Sequence, residues 1–296
     1  MSNTNRPIPR FSPVRVVQIS AVVSLILLAA HVWIYFAAPI ADDYWNDKAT
    51  DFLIILASAG AALAATWVAR LFERGESPWR IWWAFAIGFW CWLAGELSGL
   101  VYDAIYWETQ YPDLTFIDLF WILGYLFLGL SLYYQYRLIY SIPLGDGRQK
   151  KRGTRYYLAL VALAMVLTAL LTNLAAKTGL GEGYAWIVLF VTVLYPVFDL
   201  AEGVGAIRLS LLFGRGQWSR PWWGLILFAL ADSINSFNWL GGYQWLSAGM
   251  QKAFDGILVI TYPSAYLVAG LALLTNYYMI KHGEATGLTK PTKKVQ

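Results

Sequence analysis

Six carboxylic acids stand within or beside long apolar stretches of this sequence: Glu96, Asp103, Asp118, Asp199, Glu202 and Asp232. A carboxylate at the centre of a membrane-spanning helix costs about 2.5–3.5 kcal/mol on an insertion scale. Glu96, Asp199, Glu202 and Asp232 fall deepest, so together they cost on the order of 10 kcal/mol unless partners satisfy them. No Lys or Arg is expected deep enough to neutralise them. They must then be protonated, hydrated, hydrogen-bonded inside a bundle, or paired with a bound cation. Their spacing points them inward. Tyr195, Asp199 and Glu202 stand at i, i+4 and i+7, one stripe of a helix. Asp232, Asn235, Ser236 and Trp239 repeat the pattern, and Glu96 and Asp103 share a third face. Three polar stripes on three helices imply a common polar interior, which would serve as a hydrogen-bonded packing core, a ligand or ion site, or a proton relay. The candidate ligand-binding or proton-sensing residues are therefore Glu96, Asp103, Asp118, Tyr195, Asp199, Glu202, Asp232 and Asn235.

Other chemistries lack their residues. His31 and His282 are the only histidines and lie far apart in the chain, which argues against a two-histidine metal site. His31 reads as an interfacial packing residue or, second, an axial ligand for a pigment. Cys91 is the single cysteine, so neither an intramolecular disulfide nor a thiolate cluster forms. No span carries a central lysine for a retinal Schiff base, and no phosphate-loop, zinc-protease or serine-hydrolase motif occurs. No catalytic residue, metal or cofactor is expected, and the protein reads as non-enzymatic. Pro196 and Pro263 each follow a tyrosine inside an apolar stretch, where each removes one backbone hydrogen bond and can kink its helix. The small residues of Gly95-Glu96-Leu97-Ser98-Gly99 would permit close helix approach.

The elements that position these residues follow from composition. Of 296 residues, 58% are hydrophobic and only 14% charged, against about 25% charged in a soluble domain. A spanning helix needs about 20 apolar residues. Eight stretches qualify: Val16–Ala38, Phe52–Val68, Ile81–Tyr102, Ile117–Leu138, Tyr156–Ala175, Ala185–Ile207, Trp222–Trp239 and Ile257–Ile280. All but Lys48, Lys177 and Lys252 of the 22 Lys and Arg then fall on one side, which places both termini in the cytoplasm of a multi-pass cell-membrane protein. The net charge of +4 is therefore topological, favouring anionic membrane lipids over nucleic acid.

The chain also reads as an internal repeat. Leu71-Phe72-Glu73-Arg74-Gly75 followed by Arg80-Ile81-Trp82-Trp83 returns as Leu212-Phe213-Gly214-Arg215-Gly216 followed by Arg220-Pro221-Trp222-Trp223. Glu96 is matched loosely by Asp232, Asp118 by Asp255, and Tyr125 by Tyr262. Four spans per half give both halves one orientation. The expected fold is thus all-α: a polytopic bundle of eight transmembrane helices arranged as two like-oriented four-helix repeats. It comprises a tail over 1–15, a first repeat over 16–140, a basic loop over 141–155, a second repeat over 156–280 and a tail over 281–296.

These residues carry a resemblance. Trp92-Leu93-Ala94-Gly95-Glu96, Tyr111-Pro112-Asp113 and Ile117-Asp118-Leu119-Phe120 place an acid inside one span and an aspartate with aromatics at the start of the next. Leu194-Tyr195-Pro196-Val197-Phe198-Asp199 and Leu230-Ala231-Asp232 continue the pattern. Over about residues 80–280 the sequence resembles the multi-spanning N-terminal sensory regions of bacterial and archaeal histidine kinases and GGDEF-type diguanylate cyclases. The resemblance implies a membrane sensor. In those proteins a kinase or cyclase domain follows the last span, whereas His282–Gln296 is too short to fold. The expectation is a stand-alone sensory, ligand-binding or accessory subunit acting through a separate membrane or cytoplasmic partner. The alternative is an ion-coupled carrier using midplane carboxylates.

Overall fold

A computed structural model of the chain describes residues 13–40, 42–107, 114–139, 186–214, 216–239 and 242–282, with isolated positions between 155 and 173. Among them run seven long helices: α1 (Pro13–Ala37), α2 (Asp43–Ala69), α3 (Ser77–Tyr106), α4 (Phe116–Ile139), α5 (Trp186–Phe213), α6 (Arg220–Trp239) and α7 (Ala248–His282). Six are long and apolar enough to cross a membrane. The exception is α6, whose C-terminal half carries Asp232, Ser233, Asn235, Ser236 and Asn238. The expected span Tyr156–Ala175 lies largely outside the described residues, as do most of both tails, most of the basic loop, Tyr111-Pro112-Asp113 and Arg215.

Local chemistry sets the helix ends. Asp42 opens α2 by accepting a hydrogen bond from the Tyr44 amide at 2.9 Å. Thr115 and Asp118 cap α4 reciprocally: the Thr115 amide donates to Asp118 Oδ2 at 2.7 Å, and the Ile117 amide donates to Thr115 Oγ1 at 3.2 Å. The turns after α2 and α5 each need a left-handed residue, Gly75 at φ +106° and Gly214 at φ +59°. In the aligned strings these are different positions, so the two turns are alike in sequence but not identical in path.

Helices α2, α3, α4, α6 and α7 enclose an aromatic core. Phe228 meets Trp92 and Tyr266 edge to face, both at 4.6 Å between ring centroids. Phe89 and Phe85 stack at 5.0 Å, and Trp82 stacks on Trp222 at 6.2 Å. Small residues let the backbones approach. A methyl group at Gly224 of α6 would stand 2.7 Å from the Ala269 methyl of α7, and one at Gly270 would stand 3.2 Å from Ala61 Cα of α2. The Gly95–Gly99 pattern acts only in part: Gly95 packs on Trp121, but Gly99 faces open space. Helix α1 lies at the edge against α2 and α7. Apart from Pro13, only His31 of α1 is buried.

A second difference concerns α2. The helix starts nine residues before the expected Phe52, because Asp42 caps it there. The extension carries Asp47, Lys48 and Asp51 into the bundle, and Lys48 is only 7% exposed. A buried cation therefore does stand beside the acids.

Candidate ligand cavity

One end of the bundle encloses a cavity of about 690 Å³. All seven helices reach it: α1, α3 and α6 through their C-terminal halves, and α2, α4, α5 and α7 through their N-terminal halves. The basic turns bearing Arg70, Arg74, Arg80 and Arg220 stand at the opposite ends of these helices. Of the eight residues singled out in the sequence, six line the cavity: Glu96, Asp103, Asp118, Tyr195, Asp232 and Asn235. Asp199 and Glu202 are not on its wall. They are 2% and 7% exposed, packed behind it in the helix interface.

Each acid has its own partners. Glu96 Oε1 accepts two hydrogen bonds, from the hydroxyls of Tyr262 and Tyr266, both at 2.7 Å. Tyr125 donates to Asp199 Oδ1 at 2.5 Å and also stands 3.4 Å from Asp232 Oδ2. A hydroxyl has one proton, so the shorter contact holds it and Asp232 keeps acceptor capacity toward the cavity. Asp118 is the most committed acid. One oxygen caps α4 and the other accepts from Tyr195 at 2.6 Å. Its Thr-x-x-Asp spacing was a legible helix-start signal. Glu202 lies against the backbone of Gly129.

Lys48 is the centre of a separate ionic cluster at the cavity rim. Its ammonium lies 2.9 Å from Asp47, 3.0 Å from Asp51 and 3.4 Å from Asp103. Carboxylate oxygens of the three acids fall within 4.8 Å of one another, a spacing a metal ion could use. The lysine already bonds all three, so a metal would have to displace it.

Sequence reasoning missed the tyrosine donors Tyr262 and Tyr266, the Asp47–Lys48–Asp51 cluster, and His31 as a wall residue. The i, i+4 spacing of Tyr262 and Tyr266 around Pro263 was the available signal for the first. The sequence offered His31 only as an interfacial packing residue or a pigment ligand; it is 4% exposed, lines the cavity, and has an Nδ1 without a partner among the described residues. The prolines bear on the same space. Pro196 and Pro263 lack the amides that would bond the carbonyls of Thr192 and Val259, and both of those residues line the cavity.

By the length and apolarity of its helices, the chain is a multi-pass membrane protein with an acidic, aromatic cavity at one end of the bundle. No protein-family model, curated protein or solved structure matches it.

Proposed function

We propose that the protein is a non-enzymatic sensory protein of the cell membrane, which binds a small ligand in this cavity and passes its state to a separate signalling partner. The observation that carries the reading is the cavity itself. Its volume falls in the range of about 300–1,000 Å³ typical of small-molecule sites, and convergent polar groups stand on an otherwise apolar wall. Ring contacts supply a route for the signal. They run from Tyr262 and Tyr266 through Phe228, Trp92, Phe89 and Phe85 to Trp222 and Trp82 near the basic end. In the proposed orientation the cavity opens away from the cytoplasm and the ring column ends beside it, with both termini and the basic turns among the lipid headgroups there.

The reading includes eight spans in two like-oriented repeats. Crosswise pairing supports it: Tyr262 of the second half holds Glu96 of the first, while Tyr125 of the first approaches Asp232 of the second. Trp82 and Trp222, matched in the repeated string, stack on each other as residues beside a two-fold axis would. The resemblance to sensory regions of kinases and cyclases agrees with this assignment.

Native mass spectrometry of the detergent-purified chain tests the proposal. A bound small molecule, lost when Trp121→Ala or Asn235→Leu alters the wall, is the expected result. A bundle that carries no ligand and gains no thermal stability from any metabolite pool would overturn it. A carrier is the second reading, favoured by the proline-interrupted helices α5 and α7 at the cavity. Uptake of the identified ligand into proteoliposomes would select it.

A further inference from the structure

The proposal that the cavity binds a small ligand is the starting point here; the residues of its wall narrow the ligand's chemistry. Asp47, Asp51, Glu96, Asp103, Asp118 and Asp232 all line the space, and His31 is the only basic side chain among the described lining residues. The nearest ammonium, that of Lys48, is held by three of these acids. An anion entering this space would meet six acids, and apart from His31 its donors on the described wall would be neutral groups such as the Asn235 amide, the Ser236 hydroxyl and the Trp121 indole. A bare metal ion fits poorly as well. Among the described residues the one trio of converging carboxylates is filled by Lys48, and the remaining space is far larger than a single ion.

Acceptors remain where a ligand could use them. The two tyrosines take Oε1 of Glu96 and leave Oε2 for another donor. Among the described residues Asp232 has only the long contact to Tyr125. His31 adds an independent observation: a buried wall residue whose ring is hydrogen-bonded to the Thr50 backbone but whose Nδ1 has no partner among the described residues. The same cavity is lined by the rings of Trp121, Tyr125, Tyr195 and Tyr262 and the aliphatic side chains of Val191 and Leu258. Aromatic faces attract organic cations within about 6 Å of the ring centroid.

We infer that the ligand is a protonated organic amine on an apolar or aromatic body, its ammonium set between Glu96 and Asp232 and its body against the rings. The inference rests on the ligand-binding reading, and its test separates the two. Three probes share a phenyl ring on a short tether but differ in charge: phenethylammonium, 2-phenylethanol and phenylacetate. Calcium chloride supplies the metal arm. Binding to the detergent-purified full chain is followed by tryptophan fluorescence and calorimetry. Phenethylammonium is expected to bind at least ten-fold more tightly than the alcohol, with no binding of phenylacetate. Asp232→Asn is expected to weaken it at least ten-fold, and Glu96→Gln likewise, since each retains shape but removes charge. Asn235→Asp adds charge to the same wall and is expected to tighten binding, so a result is obtained even where Asp232→Asn does not fold.

Equal or tighter binding of the alcohol, of phenylacetate or of calcium overturns the amine assignment and leaves a ligand-binding protein standing. Affinity unchanged in Glu96→Gln and Asn235→Asp overturns it too. Absence of binding by all four probes, together with an empty chain in native mass spectrometry, overturns both readings.

Discussion

The hydrogen-bonded trio of Glu96, Tyr262 and Tyr266 makes a quantitative demand on stability. Both hydroxyls reach the same oxygen at 2.7 Å, so they are alternative as well as joint partners of one acid. Side-chain hydrogen bonds inside membrane bundles contribute about 0.6 kcal/mol on average and up to about 1.7. Removing one hydroxyl, by Tyr262→Phe or Tyr266→Phe, leaves Glu96 with the other donor and should cost about 0.5–1 kcal/mol. Removing both leaves the half-buried Glu96 carboxyl without either donor, and an unsatisfied buried polar group costs about 1–3 kcal/mol, less where the cavity admits water. The double variant should therefore exceed the sum of the singles by up to about 1 kcal/mol. Glu96→Gln keeps an acceptor oxygen and should cost less than Glu96→Leu, which leaves two buried hydroxyls without one. Equilibrium unfolding in mixed detergent micelles, arranged as a double-mutant cycle, measures these differences. Additive tyrosine variants, or a Gln variant as damaging as Leu, would refute the shared-acceptor account.

Helix packing gives a sharper contrast. Gly224→Ala must push apart α6 and α7, since its methyl would stand 2.7 Å from Ala269 Cβ and 2.8 Å from the Ala265 carbonyl, and should destabilise by about 1–3 kcal/mol. Gly99→Ala meets nothing within 4 Å and should melt at or slightly above the parent temperature. Trp82→Ala empties a site that is 2% exposed, between Trp218 and Trp222, and should cost about 3–5 kcal/mol by the same melts. In a Cys91→Ala chain, Lys252→Cys should react with an impermeant maleimide from outside the cell and Arg74→Cys only from inside; the reverse pattern would invert the proposed topology. Burial, and then the Asp255 carboxylate that accepts its hydroxyl at 2.9 Å, push Tyr243 from its ordinary 10 up to about 12. The folded state thus holds this proton longer than the unfolded chain, and the associated stability, present below pH 10, is lost as pH rises toward 12. Subtracting the ultraviolet titration of Tyr243→Phe from that of the parent should show the late ionisation.

Hydropathy was enough to find the long helices, because hydrocarbon tolerates few charges and the chain obeys that limit over most of its length. It misjudged α2 for the same reason: Asp47, Lys48 and Asp51 break the apolar run, yet the helix continues through them because the lysine neutralises the acids locally. The span read over Trp222–Trp239 leans on its aromatics, since α6 is not among the six helices long and apolar enough to cross a membrane. The polar stripes located Glu96, Asp232 and Asn235, since a three-to-four-residue period fixes which face they share. Spacing within one helix cannot report which hydroxyl of another helix arrives opposite, so the pairing of Glu96 with Tyr262 and Tyr266 was hidden. Nor does a stripe give depth. Asp199 and Glu202 lie on the same face as Tyr195, but they stand further along α5, beneath the cavity, where α4 and α6 close over them.

The marginal position of α1 has a consequence for how the molecule is made. About half of its residues are exposed and nearly all the others only half-buried: Ile19, Val22, Leu25 and Ile26 face outward along one end and Trp33 and Phe36 along the other. Such a helix is at home in lipid before any neighbour exists, so during synthesis it can enter the bilayer and wait there, unaided, while the polar helices that need one another emerge. Its docking onto α2 and α7 then becomes a late step that adds His31 and Tyr35 to an otherwise complete cavity. A chain beginning at Asp42 should still assemble the remaining helices, but its cavity would lack one side and open directly into the hydrocarbon.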